Sequence, residues 1–138
     1  QRVAVRMARQ AVLTRDPPPK LSVILDEAVL RRQIGGPDVM RRQLTSLAEA
    51  NERQMITVQV LPFSVGAHRG IAGSFVILEF VSETEFPLVY SEGLTGGVFR
   101  SRSDDLRSYW MSFESLRAAA LSPRQSVEFI HAVASGDG

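Results

Sequence analysis

Few side chains in this sequence are suited to chemistry, and they fall in three short segments. His68-Arg69 lie between Gly66 and Gly70 within Pro62-Phe-Ser-Val-Gly-Ala-His-Arg-Gly-Ile-Ala-Gly73. Glycine at three positions in eight residues lets the backbone take positive φ or approach another group closely, and both His and Arg donate hydrogen bonds to acidic groups. Such a pair could polarise a carbonyl, clamp a phosphate or respond to pH near neutrality. The plainer alternative is a solvent-exposed polar turn. Tyr90 and Glu92 end a strand-like run before a Gly-rich connection, and would line the same cleft as His68 if their strands are neighbours. Asp26 and Glu27 occupy a strand-to-helix junction, where carboxylates bind metal, move protons or cap the helix; capping is the commonest of the three. Arg31 follows one turn later.

The same residue types exclude several chemistries. With no Cys and only His68 and His131, the sequence lacks the donors of a structural zinc or an iron–sulfur site, leaving a hydrated magnesium ion as the metal its carboxylates would suit. The Gly93…Gly97 segment has neither dinucleotide nor phosphate-loop spacing, and no Gly-x-Ser-x-Gly elbow or His-Glu-x-x-His pair occurs. No catalytic residue, resident metal or cofactor is therefore assigned. His131, between Ile130 and Val133, reads as a packing or surface residue, and Trp110 and Phe113 read as core.

The elements that must position these groups are legible from periodicity. Val5, Ala8 and Val12 form an apolar stripe while Arg2, Arg6 and Arg9 mark another face, giving an amphipathic helix closed by Asp16-Pro17-Pro18-Pro19. Leu21–Leu25 reads as a strand buried on both faces, followed by a short helix that Asp26 caps and Gly35-Gly36 stop. Pro37 opens a helix whose Met40, Leu44 and Leu47 share one face. Residues 55–61 and 72–81 are strands flanking the His68 loop; Leu88-Val-Tyr90 and Val98-Phe99 suggest two more. Ser103 or Asp104 caps a long helix carrying Leu106, Tyr109, Trp110, Phe113 and Leu116. Ser122-Pro123-Arg-Gln125 is a capping-box signature for the last helix. The expected fold is α+β: one domain over residues 1–138, with a mostly antiparallel sheet of about four to five strands covered by helices.

Composition narrows the function classes further. Of 16 basic residues only Lys20 is Lys, and with 15 acidic residues the net charge is +1, too small a field for polyanion binding by this segment. The charge is uneven: positive before about residue 53, negative after it. No apolar run approaches a membrane span, so a cytoplasmic protein is expected.

Taken in order, Leu25-Asp-Glu-Ala-Val-Leu-Arg-Arg-Gln-Ile-Gly-Gly36, Val39-Met40…Gln43-Leu44…Leu47, Val58-Gln-Val-Leu-Pro-Phe63…Gly66-Ala-His68…Gly70…Gly73-Ser-Phe75 and Val89-Tyr90-Ser-Glu92 resemble an actinobacterial domain of unknown function found C-terminal to Xre-type helix-turn-helix domains in transcription regulators. The resemblance runs from about Gln1 to the last helix; the DNA-binding helices and a Pro-Gly-Leu-Leu-Gln-Thr segment that usually precede it are missing. It implies a non-enzymatic regulatory domain, incomplete at its N-terminal end, that binds a small protein partner, forms a homodimer or both, and meets DNA only through the missing domain. The competing expectations are a small-molecule sensor lined by His68, Arg69, Tyr90 and Glu92, and, less favoured, an enzyme using Asp26 or Glu27 with His68. In each reading the contact residues are drawn from His68, Arg69, Tyr90, Glu92, Asp26, Glu27 and Arg31.

Overall fold

The computed structural model describes residues 1–136 and divides into two compact units, Gln1–Val60 with Leu121–Gly138, and Leu61–Ala120. The first unit holds α1 (Arg2–Arg9), β1 (Leu21–Asp26), α2 (Glu27–Arg31), α3 (Pro37–Ala50), β2 (Ile56–Leu61, whose last residue opens the second unit) and α5 (Pro123–Ala134). The second holds β3 (Phe75–Leu78), β4 (Leu88–Gly93), β5 (Gly96–Arg100) and α4 (Ser103–Ala119). The elements follow the periodicity of the sequence closely, but their pairing does not.

The expected single sheet of four to five antiparallel strands is two sheets, β1-β2 and β3-β4-β5. Leu21 N–H at the start of β1 donates to Met55 C=O just before β2, at 2.8 Å, so these two strands begin side by side and run parallel, with α2 and α3 as the crossover. The other edge of β2 is closed. Asn51 donates from Nδ2 to Val58 C=O (3.0 Å) and accepts from Val58 N–H at Oδ1 (2.9 Å), as a neighbouring strand would. Two residues on, Val60 N–H donates to Ser126 Oγ (2.9 Å) and Val60 C=O accepts from Leu121 N–H (2.9 Å). With its ladder groups satisfied, β2 offers no edge for another strand, and the hairpin expected across the His68 loop does not form.

The core of the first unit is Leu30, Met40, Leu44, Ala48, Ile56, Val58, Val60 and Ile130. Val60 and Ile130 are fully buried, and burial of each such side chain contributes about 1.5–3 kcal/mol. α3 packs on α5, whose N-terminus carries the expected capping box: Ser122 Oγ accepts from Gln125 N–H and Gln125 Oε1 from Ser122 N–H. β1, expected to be buried on both faces, is half-buried with Leu21 exposed, as suits one strand of a two-stranded sheet. α1 buries none of its residues, and the stripe of Val5, Ala8 and Val12 faces solvent.

In the second unit three of the expected strands, β3, β4 and β5, pair as an antiparallel meander. Ile77 pairs with Val89, Tyr90 with both Val76 and Phe99, and Ser91 with Val98. Alternation puts Phe75, Ile77 and Val89 on one face, where Phe75 meets Tyr109 of α4 edge-on at 5.0 Å and Val89 is fully buried. The opposite face carries Val76, Leu78, Leu88, Tyr90 and Phe99. α4 starts at Ser103 with Arg102 at the cap position and no side-chain cap, instead of capping through Ser103 or Asp104; Asp104 and Asp105 complement the helix dipole in its first turn. Leu116 is the buried residue of this helix, and Trp110 and Phe113 are half-buried. Among the described residues no helix is long and apolar enough to cross a membrane.

Candidate functional site

The His68 loop is two consecutive tight turns. Val65 N–H and Gly66 N–H bond back to Pro62 and Phe63 C=O, then Ile71 N–H and Gly73 N–H bond to His68 and Gly70 C=O. Gly66 (φ 74°) and Gly73 (φ 144°) take conformations that side chains disfavour, which explains two of the three glycines. Gly70 is needed for space. Its N–H donates to His68 Nδ1 at 3.0 Å, and a Cβ there would lie 3.1 Å from Nδ1 and 3.2 Å from Cε1. A neutral His68 ring accepting at Nδ1 carries its proton on Nε2.

Ser115, Leu116 and Ala119 of α4 wall one side of a shallow cleft of about 360 Å³, with Val65, His68 and Arg69 on the other. His68 is half-buried and Arg69 exposed. Tyr90 and Glu92 do not line this cleft, contrary to the expectation from sequence. Both lie on the opposite, outward face of β4, one pleat apart. Tyr90 stacks at a tilt on its cross-strand neighbour Phe99, ring centroids 4.8 Å apart, and its ring covers Gly97, where any Cβ would collide with Cε2, Cζ and Oη. Glu92 is exposed beside it.

Asp26, Glu27 and Arg31 belong to the first unit and serve α2. Asp26 Oδ1 accepts from Ala28 N–H at 2.9 Å as an N-cap, the commonest of its three readings. Glu27 is buried and holds Arg31 Nε at 2.6 Å one turn on, while the Arg31 guanidinium lies 5.7 Å from the Phe129 ring centroid of α5. Neither Phe129 nor Gly97 was marked by sequence reasoning. In sequence Gly97 reads as part of the Gly-rich connection before Val98; only its place in β5 makes it a strand glycine, the kind that lets another group approach closely. Among the described residues no three His, Asp or Glu side chains gather as metal ligands would. His131, exposed on α5, borders a second cleft of about 500 Å³ with Arg41, Met40 and Gln33.

The profile of a known family, the domain of unknown function DUF5753, matches residues 1–132. The chain belongs to the DUF5753 family. The match spans α1 through most of α5, so both compact units are parts of one DUF5753 domain. No curated protein and no solved structure matches the chain.

Proposed function

We propose that this DUF5753 chain is a non-enzymatic binding module: the regulatory part of a cytoplasmic, actinobacterial transcription regulator of Xre type, with a helix-turn-helix elsewhere in the protein contacting DNA. The observation that carries the reading is the outer face of β3-β4-β5. Val76, Tyr90 and Phe99 form one row across it and Leu78 and Leu88 the next, with Val76 50% and Phe99 63% exposed. A contiguous apolar sheet face of this kind marks a protein-contact surface. In the first unit, Asp26 and Glu27 are engaged in a helix cap and an ion pair, roles that account for both carboxylates without a reaction.

The test mixes the purified chain with the small protein product of a neighbouring gene and reads complex formation by sizing chromatography. Binding that is lost in Val76→Asp and Phe99→Asp supports the reading; binding indifferent to both substitutions contradicts it. The His68 cleft favours a second reading, a small-molecule sensor with His68 and Arg69 as polar anchors over Leu116. A thermal-shift screen of metabolites and nucleotides, repeated on His68→Ala, separates the two: a stabilising ligand lost in that variant supports sensing.

A further inference from the structure

Two regions of opposite charge each present exposed apolar side chains. α1 presents Val3 (73% exposed), Val5 and Met7 together with Arg2, Arg6 and Arg9, and residues 1–15 contain four Arg and no acidic side chain. Residues 70–99 contain Glu79, Glu83, Glu85 and Glu92, all exposed, and no basic side chain. The same stretch presents Val76, Leu78 and Phe86 to solvent and supplies most of the outer sheet face. On α1 the three Arg cluster on one side, and Val5 and Ala8 of the apolar stripe lie beside them. A short amphipathic helix of this type is stable when its apolar side is covered and its charges meet opposite charges.

We infer that two copies of this chain dock reciprocally, α1 of each lying on the outer face of the β3-β4-β5 sheet of the other. Val5 and Ala8 cover Val76 and Phe99, and the Arg side chains along the flank of α1 reach the glutamates at the rim of that sheet. Two-fold symmetry makes the contact twice, which brings a small helix–sheet patch toward the ~1,200–2,000 Å² of a stable dimer. This deepens the protein-contact reading above and rests on it, naming a second copy as an occupant of that face.

The test is sedimentation velocity of the whole chain and of two charge-reversed variants, one with Arg2→Glu, Arg6→Glu and Arg9→Glu, the other with Glu83→Arg, Glu85→Arg and Glu92→Arg. All six positions are exposed, and circular dichroism checks that the fold is kept. The parent chain is expected at twice its 15.2 kDa mass, shifting toward monomer in high salt. Each variant alone is expected as a monomer. An equimolar mixture of the two is expected to return to dimer mass, because each then offers the other a helix and a sheet of opposite sign. A parent chain that stays monomeric at all concentrations, a dimer unmoved by either set, or a mixture that stays monomeric overturns the inference. So does a monomer that binds vesicles of anionic phospholipid through α1. A monomer that still binds its small partner protein, and loses it in Val76→Asp, overturns self-docking alone; a monomer whose partner binding ignores the sheet face removes both readings.

Discussion

Gly97 of β5 lies directly beneath the ring of Tyr90 on β4, which leaves no room for a Cβ there. The absence of a side chain lets Tyr90 lean across its strand and stack on Phe99. Gly97→Ala is expected to displace the Tyr90 ring and destabilise the sheet by about 1–3 kcal/mol. Urea denaturation followed by tyrosine near-ultraviolet dichroism measures both. An unchanged midpoint would show that the ring is not seated there.

The Gly70–His68 contact makes a second, local prediction. Gly70→Ala places a methyl group against the imidazole, so His68 is expected to rotate and give up its bond from the Gly70 N–H, at a stability cost of about 0.5–3 kcal/mol for this half-buried position. Imidazole ¹⁵N shifts report the change: the parent ring should show the Nε2–H tautomer at high pH. If metabolite binding exists at this cleft, it should weaken in the same variant.

Ser126 and Asn51 close the outer edge of β2. Ser126→Ala leaves the buried Val60 N–H without its acceptor and is expected to cost about 1–3 kcal/mol. Asn51→Ala removes the two bonds to Val58 and a third from Nδ2 to Pro123 C=O (3.0 Å), and is expected to cost at least as much. Chemical denaturation measures each. A Ser126→Ala variant as stable as the parent would show that water reaches this edge.

Asp26 and Glu27 should separate by magnitude. Asp26→Ala removes a helix cap worth ~1 kcal/mol. Glu27→Ala removes the 2.6 Å bond to Arg31; since Arg31 is about one-third exposed, a loss nearer ~1–3 kcal/mol is expected than the 3–5 of a fully buried pair. If both residues serve the fold alone, binding of the partner protein by the folded variants stays at the parent level.

Residues with local signatures were readable before the fold was known. The Ser122-Pro123-Gln125 cap, Pro37 at the start of α3, Asp26 ahead of α2 and the alternation through Leu88–Glu92 each depend on bonds within a few residues, so sequence spacing exposes them. Strand partners were not readable. Backbone N–H and C=O groups are the same along every strand, and which edge they meet depends on what else occupies it. Asn51 and Ser126, ordinary polar residues in sequence, take the edge of β2 that a meander would have used. The site divided for a related reason. Tyr90 and His68 each sit beside a glycine, but β4 presents Tyr90 away from α4, whereas the His68 loop faces α4.

The sequence by itself determined the elements, their order, the amphipathic character of α1 and the segregation of charge between residues 1–15 and 70–99, because helical period, strand alternation and capping act over a few residues. Only the tertiary structure decided that β1 and β2 pair in parallel, that Tyr90 lies over Gly97, and that α1 and the outer sheet face remain uncovered. Those outcomes depend on contacts between residues far apart in sequence, where packing space and competition for hydrogen-bonding edges choose among partners that local patterning leaves equivalent.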